Sequence, residues 1–335
     1  RLLFVVKANA YGHGAPELAR LAEREGLAWG FGVSSVEEGL ALRAAGLTSP
    51  VLVLGSLYPF ESFVEALNAG LMVTIASLDA ARQAIEAARR LGKKAVCHIK
   101  LETGMGRIGA RKPSVLKIYD ELSASGAVSV AGLYTHLSSA DSDPDYTGQQ
   151  LSIFSETAAE LELRGARGLT LHAANSCGTM NYPVSRLDLV RCGIAAYGLA
   201  DGFEPALSLK TRIVFIKNVR EGAFISYNKS FRADRAMKIA TIPAGYGDGY
   251  LRRFSNKADV LIGGRRCRVL GNVTMDMTMV DVTGVKDASV GSEAVLLGRQ
   301  GSEEVTAQEL ADLAGTITYE IVTLITSRVP RVYVE

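Results

Sequence analysis

From Leu2 to about residue 200, short apolar runs alternate with longer amphipathic stretches. Eight such runs stand out: Leu2 to Lys7, Ala28 to Val33, Val51 to Gly55, Met72 to Ala76, Ala95 to Leu101, Val128 to His136, Leu169 to Ala174 and Leu187 to Arg191. Segments such as Ala15 to Gly26, Val36 to Gly46, Leu78 to Leu91, Pro113 to Ser125 and Gln149 to Arg164 lie between them, rich in Ala, Leu and Glu with apolar positions at helical spacing. Strands separated by helices of this length pair in parallel, and eight of them predict a closed (β/α)8 barrel of the TIM type. A doubly wound open sheet competes with it. That arrangement usually carries a Gly-rich phosphate loop after its first strand, and Lys7-Ala8-Asn9-Ala10-Tyr11-Gly12 is not one.

After about Phe203 the rhythm becomes β-rich with tight turns: Leu207 to Val219, Ala223 to Tyr227, Met237 to Pro243, Val260 to Ile262, Cys267 to Val269, Met277 to Val282 and Ala294 to Leu297. The expected organisation is a barrel over 1–203 and a mostly β domain over 204–335. One helix is expected in the second domain, because Thr306-Ala307-Gln308-Glu309 has capping-box spacing ahead of an apolar run.

Charge narrows the function classes. Lys plus Arg (37) nearly balances Asp plus Glu (35), so neither nucleic acid nor an anionic membrane is an expected partner. No apolar run is long enough to span a bilayer. The four cysteines, Cys97, Cys177, Cys192 and Cys267, show neither metal-ligand nor disulfide-framework spacing, and no secretory leader is evident. Reduced thiols in a cytoplasmic, metal-free protein are the expectation.

Barrel enzymes place their chemistry at the carboxyl ends of the strands. There the polar residues Lys7, Lys100, His136, Asn175 with Ser176, and Arg191 gather. Lys7 closes an apolar strand, so its amine either reaches solvent or, partly buried, becomes a nucleophile toward a carbonyl. Asn175-Ser176-Cys177-Gly178 and Arg191-Cys192-Gly193-Ile194 follow the seventh and eighth strands, where barrels commonly hold phosphate, and Tyr11 either adds a hydroxyl or packs in its turn.

Val5-Val6-Lys7-Ala8-Asn9-Ala10-Tyr11-Gly12-His13-Gly14 resembles the cofactor-attachment segment of alanine racemases, which use pyridoxal 5'-phosphate. The resemblance continues through Lys100 to Gly109, Gly132 to His136, His172 to Ser176, Val190 to Ile194, Ser226-Tyr227, Gly245 to Gly249, Met275-Asp276 and Arg328 to Arg331. It implies that Lys7 carries the cofactor and is the base on one face of the substrate's Cα, with Tyr227 of a second subunit on the other. It implies Arg191 at the pyridine nitrogen with His136 hydrogen-bonded to it, and Tyr11, Ser176, Gly193 and Ile194 around the phosphate. Arg107, Tyr246 and Met275 would receive the substrate, and Lys100 would be carbamylated beside Arg107. The implied protein is a homodimer that interconverts L- and D-alanine for peptidoglycan.

Three departures from the family's pattern change details. Asn228 stands where a Gly usually follows the catalytic Tyr, and Asn tolerates the positive φ that such a turn needs. Ser327 stands where many members have a Tyr, which opens the alternative of a racemase accepting serine as well. The resemblance also implies a further strand and helix ahead of Arg1. A barrel decarboxylase with the same cofactor is the other alternative, and it would carry a carboxylate in place of Arg191.

Overall fold

A computed structural model of the chain describes residues 1–334. It falls into two compact units, Arg1–Ala196 and Tyr197–Glu335. In the first, eight parallel strands are β1 (Leu2–Val5), β2 (Gly30–Val33), β3 (Val51–Val53), β4 (Met72–Ile75), β5 (Ala95–Lys100), β6 (Val128–Tyr134), β7 (Thr170–His172) and β8 (Val190–Cys192). They lie in the order β7-β6-β5-β4-β3-β2-β1-β8. β2 and β3 are buried at every residue, because strands covered on both faces need no polar alternation. β7 and β8 share no ladder, but the Asp188 N–H donates to the Leu171 carbonyl (3.1 Å) and the Arg191 N–H to the Ala174 carbonyl (3.0 Å). These two bonds draw the ends of the sheet together.

Seven helices accompany the strands: α1 (Ala15–Arg24), α2 (Val36–Ala44), α3 (Phe60–Asn68), α4 (Leu78–Leu91), α5 (Lys112–Ser125), α6 (Pro144–Leu163) and α7 (Ser176–Asn181). Local chemistry sets where several begin. The side chains of Ser35, Ser77, Asp143 and Asn175 each accept a backbone N–H from the first turn of α2, α4, α6 and α7. Gly92 then stops α4 in the left-handed conformation. The strands are shorter than the apolar runs at their carboxyl ends: β1 stops at Val5 and β6 at Tyr134. The polar residues beyond those points are therefore freed from the ladder to build the barrel mouth.

The second unit is mostly β. Phe215–Val219, Met237–Ile242 and Thr278–Asp281 form an antiparallel three-stranded sheet. A second sheet joins Arg265–Arg268, Asp259–Ile262, Glu293–Gln300 and Glu303–Val305, with Leu209–Arg212 added along Glu293–Gln300. The expected single run from Leu207 to Val219 is thus two strands that belong to different sheets. The helix Ala307–Ala314 begins as expected, with Thr306 Oγ1 accepting the Glu309 N–H at 3.0 Å. Ile225, Ala233, Met237, Ile239 and Leu270 pack into a core cluster of this unit. The four cysteines are unpaired. Among the described residues, no helix is long and apolar enough to cross a membrane.

Candidate active site at the barrel mouth

Lys7 opens a turn of the wrong hand. Ala8, Asn9, Ala10 and Tyr11 all have φ between 51° and 54°, a left-handed helical turn that costs L-residues about 1–2 kcal/mol each. Tertiary bonds hold it. The Glu38 carboxylate accepts the Ala8 N–H on one oxygen (2.7 Å) and the Ser34 N–H on the other (2.6 Å). Asn9 Oδ1 accepts the Ala15 N–H at the start of α1 (2.9 Å), and His13 Nδ1 lies 3.0 and 2.9 Å from the Ala10 and Tyr11 carbonyls, to which it donates. This strained segment aims a half-buried Lys7. Burial lowers the affinity of its amine for a proton, the nearby Arg107 charge lowers it further, and Glu38 opposes both.

Across the mouth, Lys100, Tyr134 and His172 are register partners on β5, β6 and β7 and so form one row. Arg191 of β8 lies against it, wholly buried. Its Nη1 donates to His172 Nδ1 (3.1 Å) and the His172 carbonyl (2.9 Å), and its Nη2 to the carbonyls of Thr135 (2.5 Å) and Ala173 (2.9 Å). None of the four bonds uses Nε. The imidazole partner of Arg191 is therefore His172, a correction to the expected His136. The cause is local: the Thr135 carbonyl, one residue before His136, already occupies Nη2, and the His172 ring on the neighbouring strand reaches Nη1 first.

His136 nevertheless sits within this positive field. Burial and the charges of Arg191, Arg107, Lys100 and Lys7 push its imidazole down to about 2, so it is neutral. Lys100 is 4 % exposed, and among the described residues it has no hydrogen-bond or ion-pair partner; its Nζ rests 5.2 Å from the Tyr134 ring centre. Burial, Arg107 and Arg191 bring its amine down to about 7. Arg107 itself stands exposed on the loop after β5, whose shape is set by Glu102 accepting the N–H groups of Gly104 (2.5 Å) and Gly106 (3.0 Å).

A candidate anion cradle follows β8. Ser176 Oγ accepts the N–H groups of Gly193 (3.1 Å) and Ala195 (3.3 Å), which fixes the loop after β8 against the start of α7. A Cβ at Gly193 would stand 2.5 Å from the Tyr11 hydroxyl oxygen, so glycine lets that phenol close over the loop. With its oxygen accepting both N–H groups, the Ser176 hydroxyl keeps its own hydrogen to donate, and that hydroxyl and a phenol beside a glycine loop suit a phosphate.

In the second unit, Tyr227 is 70 % exposed at the head of a short turn in which Asn228 takes φ 58°, as an asparagine there permits. Asn272 Nδ2 donates to the Tyr227 carbonyl (3.1 Å) and Ser226 Oγ to the Asn272 carbonyl (2.7 Å). Tyr246 and Met275 are brought together: the Tyr246 N–H donates to the Thr274 carbonyl (3.0 Å) and the Gly247 N–H to the Met275 carbonyl (2.9 Å). Arg328 braces the pair through Asp276 (2.8 Å) and Asp248 (3.3 Å), and Ser327 is exposed beside it. Glu38 and His98 were not singled out from the sequence, and His172 was seen only as part of a motif.

A barrel whose strand ends converge on a half-buried amine and buried cations, followed by a β unit presenting an exposed tyrosine, defines a barrel enzyme with a nucleophilic amine at its mouth. Residues 1–201 match the family described as alanine racemase, N-terminal domain, and residues 206–333 the alanine racemase, C-terminal domain. The chain belongs to the alanine racemase family, a family of amino-acid isomerases. It is 47 % identical to an alanine racemase of Symbiobacterium thermophilum over 99 % of this chain and 90 % of that one. Identity to an alanine racemase of Carboxydothermus hydrogenoformans is 42 %, over 98 % and 92 %. The crystal structure of a Bacillus anthracis alanine racemase with bound L-Ala-P superposes with a TM-score of 0.93 at 35 % identity, covering 100 % of this chain and 88 % of that one.

Proposed function

We propose that this racemase acts on alanine with pyridoxal 5'-phosphate attached to Lys7, as a homodimer in which Tyr227 of a second copy faces Lys7 across the substrate. When bound, the cofactor supplies an electron-withdrawing ring that acidifies the Cα–H of the amino acid. The residues present fit it. The cradle of Ser176, Gly193, Ile194 and Tyr11 suits its phosphate, and the Nε–H of Arg191, unused among the described residues, suits its ring nitrogen.

Lys7 takes or returns a proton on one face of Cα and Tyr227 on the other. Two bases are required, because one alone hands the proton back to the side it left. Arg107 receives the substrate carboxylate, with Tyr246 and Met275 of the second copy at the entrance, and neutral His136 adds a polar wall without a further charge. Lys100, whose amine is brought down to about 7 and so is substantially unprotonated near neutral pH, is primed to add carbon dioxide with release of a proton to solvent, and the resulting anion would pair with Arg107. The product fits a supply of D-alanine for peptidoglycan.

The observation that carries this reading is Arg191, a buried cation with no carboxylate partner among the described residues. A guanidinium cannot give up its proton, so it disfavours a proton on the ring nitrogen and weakens the electron sink. That supports racemisation over decarboxylation. The test is borohydride reduction of the yellow holoenzyme followed by peptide mapping, with alanine and serine assayed for deuterium uptake at Cα. Label on Lys7 and uptake into both enantiomers of alanine are expected; a colourless protein that binds no pyridoxal phosphate would refute the reading.

A further inference from the structure

Behind Arg191 the hydrogen bonds continue. His172 Nε2 lies 2.8 Å from His98 Nδ1, both rings buried, with the planes nearly perpendicular. Direction along this chain follows from its head. Arginine only donates, so His172 Nδ1 is an acceptor and the ring's single proton is on Nε2. That N–H must donate, so His98 Nδ1 is bare and its own proton is on Nε2, a buried atom with no hydrogen-bond partner among the described residues.

The fold makes room for this contact. His98 belongs to the row below Lys100, where its register partner on β6 is Gly132 and the next residue across is Thr170. A Cβ at Gly132 would stand 2.3 Å from His98 Nδ1, so only glycine lets the ring lean over β6 to reach His172. The β5–β6 ladder also slips between Cys97 and His98, which turns the histidine relative to its neighbours.

We infer that His98 is a positioning residue for Arg191: by accepting from His172 Nε2 it fixes the tautomer that offers Nδ1 to the guanidinium. Were His172 to carry its proton on Nδ1, two donors would face each other in a buried site and Arg191 would shift away from its present seat. Stacking of His172 on Tyr134, 4.8 Å between ring centres and 12° between planes, keeps the imidazole from rotating out of the relay. Burial and the Arg191 charge act in the same direction, holding His98 and His172 neutral. His98 touches no reacting atom. Its effect on the reaction rests on the assignment of Arg191 to the cofactor nitrogen, whereas the relay itself does not.

The chain has four histidines, so long-range proton–nitrogen spectra of the full-length protein labelled only in histidine resolve the question directly. Expected are neutral His172 and His98 rings, each protonated on Nε2, with and without added pyridoxal phosphate. In His98→Leu the His172 ring is expected to populate both tautomers, kcat to fall on the order of tenfold with KM little changed, and transamination per turnover to rise. His98→Gln, whose amide oxygen can accept, is expected to restore the tautomer and most of kcat. A wild-type His172 protonated on Nδ1 overturns the inference, as does a His98→Leu protein that keeps both tautomer and kcat. If the Leu variant does not fold, the wild-type and Gln spectra decide. Expected tautomers in a chain that binds no cofactor would leave the relay standing and sink the functional reading instead.

Discussion

The Glu38 carboxylate accepts the N–H of Ala8, the residue after Lys7, at 2.7 Å while its other oxygen accepts that of Ser34 at 2.6 Å. One side chain on α2 thus ties the entry of a left-handed turn to the loop after β2. Hydrogen bonds to a charged acceptor contribute about 1.5–3 kcal/mol each. Glu38→Ala is therefore expected to lower the unfolding temperature and to release pyridoxal phosphate more readily, and Glu38→Gln, which keeps one acceptor, to fall between. Equal melting curves and equal cofactor retention in all three proteins would show that the turn holds itself.

Gly193→Ala places a methyl 2.5 Å from the Tyr11 hydroxyl oxygen. The phenol must move, and its place over the loop after β8 is lost. Weakening of pyridoxal phosphate binding by about tenfold, or ~1.4 kcal/mol, is expected in an absorbance titration. Combining it with Tyr11→Phe removes that oxygen but leaves the ring carbon that carried it 2.9 Å from the methyl, so the double variant should bind more weakly than Tyr11→Phe alone.

Lys100 makes a pH prediction. Its amine loses its proton near 7 rather than near 10.5, and only the neutral amine adds carbon dioxide. At fixed dissolved carbon dioxide, incorporation of 13C label at Lys100 should rise as pH passes through about 7, well before it does at an ordinary lysine. The same shift has a stability sign. The unfolded chain binds more protons than the folded one between about 7 and 10.5, so the unmodified lysine makes folding more favourable as pH rises through that window. Label appearing only at strongly alkaline pH would show that Lys100 is an ordinary amine.

Sharing of sites between subunits is tested by mixing inactive variants. In a hybrid of Lys7→Ala and Tyr227→Phe chains, one site carries both changes and the other neither. Random reassociation of equal amounts should restore about a quarter of wild-type activity. No recovery would mean that Lys7 and Tyr227 do not serve one site from different chains.

Much of this was readable from the chain, and the exceptions have a common cause. Eight apolar runs and the polar residues at their ends marked the barrel mouth, because strand burial and strand termination are local in sequence. The turn after Lys7 was not readable: two of its residues are alanines, which have no leaning toward positive φ, and it is held by Glu38, thirty residues from Ala8. His172 sat within a quoted motif, but its role was assigned to His136, since choosing between them depends on which strand neighbours β8. His98 reads as a core histidine until Gly132 is set beside it. A hint lay in the spacing of Asn9, Gly12 and Gly14, residues that often accompany left-handed backbone.

Arg191 has a second consequence through its main chain. Its N–H is one of the two bonds that draw β7 to β8, and its guanidinium grips the carbonyls of His172 and Ala173 beside the same gap. The barrel's weakest seam and the proposed cofactor site are therefore fastened by one residue. Filling the site should act as a zipper: amides flanking this seam would be the first to exchange with solvent in the empty protein and the ones most slowed once it is loaded.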